Sequence, residues 1–349
     1  MKSKWIVLLL VCMLTVSLVL GGCGGGQEAP KEPAETPSSS DSGDSGSEKA
    51  PLKAALLTSG PVNDGGWNTQ AYEGLLLLKD ELGFEIAYTE SVQQADQANI
   101  MRDYAKKGFD LIIGHGFEFG DALLTVSAEY PDIKFFQVGG EVSGPNLASA
   151  RFRTGELGYL AGKLAALVTK TNKIGFVGAM EVPTILGEVK AIKEVVPQIN
   201  PNATVTTAFT GSWEDINKGK EAALAQIATG VDVIIGIGDA CDAGAIQACD
   251  ESEGVYFIGW SGDLNKLSPN KVLTSGVQSV QIMIKQVGEK ILNGTFEGNS
   301  QILGIPEGVQ FLGTWSPETP EDAKAAVLAD EEKLKSGEMV IEDTTSQLE

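Results

Sequence analysis

The chain has 349 residues, enough for about two domains. Asp and Glu number 47 against 26 Lys and Arg, a formal net charge of -21. That balance opposes nucleic-acid partners, whose phosphates require clustered positive charge, and opposes adhesion to anionic lipid by electrostatics alone.

At the N-terminus Lys2 and Lys4 precede an apolar run, 6–20, which is too short to span a bilayer comfortably. It reads as a signal peptide over residues 1–22. The run ends in Leu20-Gly21-Gly22-Cys23, which resembles a bacterial lipobox. The resemblance implies that Cys23 is acylated and becomes the mature N-terminus, at the extracytoplasmic face of the cell membrane. An ordinary signal peptide or anchor helix with a chance cysteine is the alternative. Several acyl chains on one residue anchor stably, where a single chain holds only marginally. From Gly24 to Ala50 the chain is Gly, Ser, Pro, Glu and Asp with almost no apolar residue, so residues 23–50 read as a lipidated cysteine and disordered tether.

From Pro51 short apolar runs alternate with amphipathic stretches. Strands are predicted at 52–58, 85–89, 110–114 and 134–138, with helices at 67–81, 95–107 and 120–130. This rhythm predicts parallel strands with right-handed crossovers. The strands lack polar alternation, as expected where helices cover both faces of a sheet. The pattern then restarts about 120 residues on: 173–177 resembles 53–57, 231–236 resembles 109–114, and 255–259 resembles 134–139. Two similar open α/β halves are expected, with one large sheet as the alternative. Cys241 and Cys249, eight apart, are too far separated to bridge if both are helical, so buried free thiols are expected.

Ligands of open parallel sheets bind beyond the carboxyl ends of the strands. Asn63-Asp64-Gly65-Gly66-Trp67-Asn68 follows the first strand, and His115-Gly116-Phe117-Glu118-Phe119-Gly120-Asp121 the third. In the second half the matching places hold residues 180–183, 211–215, Gly238-Asp239-Ala240 and Trp260-Ser261-Gly262-Asp263. Asn63 or Asp64 serves equally as a helix cap. A Trp at a helix start beside polar groups is a stacking platform for a planar ligand. Trp213 is expected in the corresponding place of the second half, so that two rings enclose one planar group. Asp121 at a helix start suits either the helix dipole or a ligand N–H. The single histidine, His115, has no companions for a metal site and no ordered triad, and reads as structural. Gly236-Ile237-Gly238-Asp239-Ala240-Cys241 departs from a dinucleotide loop, and no Walker-type loop is present. No cofactor, metal or enzymatic activity is expected.

These residues resemble the basic membrane protein family, lipid-anchored binding proteins of ABC importers whose characterised members bind purine nucleosides or bases. The likeness runs from about Lys53 to Leu312. It is carried by Asp64, Trp67 and Asn68, by Gly116-Phe117 with Asp121, by Gly158-Tyr159-Leu160-Ala161-Gly162 followed by 173–178, and by Trp213. Where nucleoside binders of the family hold ribose with Asp and Lys, this chain has Ser261 and Gln278. The resemblance therefore implies a base without ribose, or another planar heterocycle. Phe119 and Asp239 complete the candidate ligand contacts. The expected fold is α/β, two Rossmann-like lobes of the type I periplasmic-binding-protein kind with the ligand cleft between them. One lobe is read as 51–148 plus 276–300, the other as 149–275 plus 301–349. A monomer that captures a purine base or nucleoside by hinge closure and docks on an ABC permease is the expected function. A ligand-sensing lipoprotein, or a nucleoside-acting enzyme, is the alternative.

Overall fold

The structure is a computed structural model that describes residues 50–63 and 66–348. The signal peptide, Cys23 and the tether up to residue 49 lie outside the described residues, as does Asp64.

The first half runs β1 (Lys53–Thr58), α1 (Trp67–Asp80), β2 (Glu85–Thr89), α2 (Gln97–Lys106), β3 (Leu111–His115), α3 (Gly120–Glu129), β4 (Lys134–Val138) and β5 (Leu147–Phe152). The second runs α4 (Glu156–Val168), β6 (Lys173–Gly178), α5 (Pro183–Ile199), β7 (Thr204–Phe209), α6 (Ile216–Ile227), β8 (Val233–Ile237), α7 (Ala240–Asp250), β9 (Tyr256–Ser261) and β10 (Val272–Gln278). The chain then returns through α8 (Val280–Leu292), β11 (Ser300–Leu303), β12 (Gln310–Leu312) and α9 (Glu321–Ser336).

These strands make two six-stranded sheets, in the orders β11-β5-β4-β3-β1-β2 and β12-β10-β9-β8-β6-β7. All pairs are parallel except β10 with β12. The restart of the sequence pattern is thus a restart of the fold: β1, β3 and β4 hold the same places in the first sheet as β6, β8 and β9 in the second. The apolar runs without alternation are buried on both faces, β3 and β8 along their whole length. Leu75, Leu78 and Ile284 cover one face of the first sheet, and Met101, Leu123 and Val126 the other. Leu160, Ile192 and Val327 cover one face of the second sheet, and Ala223 and Ile246 the other.

The chain passes between the sheets at 153–155, at Ser279 and at 304–309, a few residues beyond the boundaries read from the sequence. α8, which follows the second sheet's β10, therefore packs on α1 of the first. Gly74 permits the approach, since a Cβ there would come within 3.0 Å of Ile284. The crossings are bonded to one another. Arg153 donates its backbone N–H to the Leu303 carbonyl at 2.7 Å, and Ser279 donates to Val309 at 2.8 Å. The buried Glu156 carboxylate accepts from the Ile305 N–H at 2.7 Å. The C-terminal segment joins them: Asp343 accepts from the Thr154 N–H, the Thr154 hydroxyl and the Arg151 guanidinium. Burial opposes ionisation of Asp343, but these donors outweigh it and hold its pKa down to about 2. Glu188, wholly buried, accepts from the Gly155 and Gly158 N–H groups at the start of α4. Its desolvation nevertheless pushes its pKa up to about 8.

Candidate functional site

The carboxyl ends of both sheets open on one cleft of about 860 Å³. α1 contributes Trp67, Thr69, Gln70 and Glu73, and the β7–α6 turn contributes Trp213 and Glu214. Asp239 follows β8, Ser261 ends β9 and Asp263 follows it, and Phe311 comes from β12. The size is within the usual range for small-molecule sites.

Trp67 is the first residue of α1. One ring face lies against the buried His115 imidazole, with centroids 4.3 Å apart and planes at 31°. The far edge of its indole rests on Gly139, which has φ +77° and whose Cβ would come within 3.2 Å of Cζ2. No other residue type satisfies both the backbone and the ring there.

Trp213 is 39% exposed, at the opposite side of the cleft. Its turn is built from local polar caps. Ser212 Oγ accepts from the Glu214 and Asp215 N–H groups, and Asp215 caps α6 by accepting from Asn217 and Lys218. The buried Cys241 thiol lies 3.1 and 3.2 Å from the Ser212 and Asp215 carbonyls. Cys241 and Cys249 are both free, buried and on α7, as the sequence predicts; burial pushes the Cys249 thiol up to about 12. The two tryptophans do not occupy matching places. Trp67 follows β1, whereas Trp213 follows β7, the counterpart of β2. Both line the one cleft, Trp67 from the first lobe and Trp213 from the second, without being equivalent positions of the half-repeats.

Asp239 and Ser261 carry positive φ angles, +48° and +64°, in non-glycine residues. Both sit just where a strand of the second sheet ends, and both line the cleft. Backbone strain of about 1–3 kcal/mol per residue persists where the surrounding structure enforces it, often at ligand clamps. Asp242, one turn into α7, is wholly buried, and desolvation pushes its pKa well above the usual carboxylate range. Asp263 is engaged by the Thr314 N–H and hydroxyl and by the Asn265 N–H. Burial works against its ionisation, but these bonds hold it below the usual carboxylate value.

The remaining candidates lie elsewhere. Phe119 is wholly buried in the core of the first lobe with Leu123 and Val126, which corrects its reading as a cleft residue. A single 3-10 turn, Phe117–Phe119, sends Phe119 inward and leaves Phe117 80% exposed. Asp121 is exposed in the first turn of α3, outside the cleft lining. Asn68 is nearly buried and packs on Gly60. Gln278 is opposite Gln310 across β10 and β12, while the neighbouring pair Val277 and Phe311 takes the cleft-lining positions. Strand alternation thus points Gln278 to the other face. Gln281 lines the cleft instead, donating to Glu73 at 2.8 Å. Glu73, Glu214, Asp239 and Asp263 face the single cation Lys266 among the described lining residues, a balance hostile to phosphate. Among the described residues no group of three or more His, Cys, Asp or Glu is placed to hold a metal ion, and no helix is long and apolar enough to cross a membrane.

Comparison with known proteins agrees with this architecture. The family described as "ABC transporter substrate-binding protein PnrA-like" matches residues 52–345. The transcriptional activator protein med of Bacillus subtilis is 30% identical over 315 residues, covering 90% of this chain and 92% of that one. A purine-binding protein of Brucella abortus is 28% identical over 291 residues, 82% of each chain. The crystal structure of a transcriptional activator of the comK gene from Bacillus halodurans superposes with a TM-score of 0.75 at 26% identity, covering 82% of this chain and 99% of that one. Two α/β lobes with helices on both faces of each sheet, a cleft at the strand ends and a match over nearly all the folded residues lead to one assignment: the chain belongs to the basic membrane protein family, the PnrA-like substrate-binding proteins of ABC transporters, which are non-catalytic solute binders.

Proposed function

We propose that this protein captures a purine base, or a planar heterocycle of similar size, for an ABC permease, and that Cys23 anchors it by lipid to the outer face of the membrane. The observation that carries the reading is the presence of Trp67 and Trp213 on opposite sides of one cleft. Two indoles provide large flat apolar faces for a planar solute, and stacking is worth about 0.5–1.5 kcal/mol per ring beyond area burial. Asp239, Ser261 and Gln70 supply acceptors and donors for the polar edge of such a ring. The bonded crossings at 153–155, Ser279 and 304–309 are the natural hinge for closure of one lobe on the other. The purine-binding relative from Brucella abortus supports the ligand class.

The relatives named as transcriptional activators favour a second reading, in which the same ligand capture feeds a regulatory signal. The charge of -21 makes direct DNA contact a poor route, so signalling would pass through the bound ligand. Mass spectrometry of the small molecule released on denaturing freshly purified protein tests the ligand, and uptake of that molecule with and without the protein separates import from sensing. A non-planar sugar in the released fraction would overturn the purine reading.

A further inference from the structure

We propose that His115 is the positioning residue for Trp67, an assignment that rests on the reading of Trp67 as a stacking platform. His115 ends β3, where its backbone is fixed on both sides by pairing with Thr58 of β1 and Val138 of β4. Its side chain is wholly buried. From this fixed base two of the imidazole's contacts are with Trp67. Its ring lies 4.3 Å from the indole of Trp67, and its Nε2 is 3.0 Å from the Trp67 carbonyl oxygen. A carbonyl only accepts, so Nε2 carries the proton in that bond.

The two contacts restrict Trp67 in different ways. The hydrogen bond holds the backbone carbonyl of the first residue of α1. The ring contact covers one indole face, and Gly139 receives the indole edge. What remains for the cleft is the other face, in one orientation. An apolar side chain in place of His115 would fill the space between β3 and α1 but would leave the Trp67 carbonyl without this donor. Burying an imidazole in the otherwise apolar strand Leu-Ile-Ile-Gly-His costs desolvation. The position makes sense where a fixed ring pays back in binding by reducing what must be ordered when the ligand arrives.

The test uses the purified full-length chain with two complementary substitutions. His115→Phe keeps a ring and removes the donor; His115→Gln keeps a donor of similar reach and removes the ring. Thermal melts establish which variants fold, and either one suffices. The near-ultraviolet circular dichroism band of Trp67, taken as wild type minus Trp67→Phe, is expected to collapse in the folded variants. Adenine affinity, measured by calorimetry, is expected to fall roughly two- to tenfold. The same substitutions placed in a Trp67→Ala background are expected to change it by less than about 1.5-fold, as they should if His115 acts only through Trp67. An unchanged Trp67 band, or a loss of affinity that persists undiminished without Trp67, overturns the proposal and leaves His115 as core packing. If wild-type protein binds no purine base, the functional reading fails, while the Trp67 band still decides the role of His115.

Discussion

The carbonyl oxygen of Trp213 accepts a hydrogen bond from the Ala240 backbone N–H at 3.1 Å, which ties the β7–α6 turn to the start of α7. The turn that presents Trp213 is therefore fixed from the same segment that presents Asp239. Removing the indole leaves this frame in place. Trp213→Ala and Trp67→Ala are each expected to weaken binding of a purine base by about 1–3 kcal/mol, with a melting temperature close to wild type for the exposed Trp213 and a lower one for Trp67, whose indole packs on the first-lobe core. Calorimetry checks it, and an unchanged affinity for either variant removes that ring from the site.

Asp239 separates stability from binding. Its φ of +48° is costly for aspartate and costs glycine nothing. Asp239→Gly is expected to relieve the backbone while lowering affinity, whereas Asp239→Asn keeps the backbone strain and loses only the charge. A glycine variant that binds as tightly as wild type would show that the carboxylate does not touch the ligand.

The lining charges rank the ligands. With Glu73, Glu214, Asp239 and Asp263 against Lys266, a nucleoside monophosphate is expected to bind at least tenfold more weakly than its base, about 1.4 kcal/mol. If Ser261 stands where the resemblance implies an anion, adenine and adenosine are expected to differ by less than a hundredfold. Competition calorimetry with base, nucleoside and nucleotide gives the order, and a nucleotide in first place contradicts it.

Stability should depend on pH through the crossings. Asp343 has a folded pKa of about 2, below its unfolded value, so its contribution is complete above about pH 4 and disappears as pH falls towards 2. After allowance for solvent screening this is worth about 1–2 kcal/mol. Glu188 works in the opposite sense. Its folded pKa of about 8 lies above the unfolded value, so the stability of its protonated form is complete below about pH 4 and declines as pH rises to 8. Denaturant melts from pH 2 to 9 are expected to show Asp343→Asn flattening the acid limb and Glu188→Gln flattening the slope between pH 5 and 8. Profiles identical to wild type would dissociate both groups from the stability of the crossings.

Cys23→Ser is expected to release the protein from the membrane fraction, since one cysteine carries all the acyl chains implied by Leu20-Gly21-Gly22-Cys23. Fractionation of cells expressing the variant decides it; unaltered membrane association means another anchor.

Most strands were legible because their apolar runs are buried on both faces and repeat about 120 residues apart. Trp67 stood out as a candidate because a large ring at a helix start beside Gly and Asn has few structural uses, and it lines the cleft. Other contacts were hidden by geometry of one residue. Phe117 and Phe119 are equivalent in composition, and only the 3-10 turn decides which is buried. Gln278 and Val277 differ by one step of strand alternation, and register is invisible without the partner β12. Gln281 and Phe311 reach the cleft only because the chain recrosses between the sheets, so their distance in sequence from Trp67 gave no signal.

The late return of the chain also constrains how the molecule is made. The first sheet gains its edge strand β11 from residues 300–303 and its covering helix α8 from 280–292, long after residues 53–152 have been synthesised. A nascent chain that stops at residue 152 has β5 paired with β4 but unpaired along its other edge, and an uncovered apolar face on α1, both open to misassociation. Residues 53–152 are therefore an incomplete lobe, finished only once residues 280–303, which follow most of the second lobe, have been made.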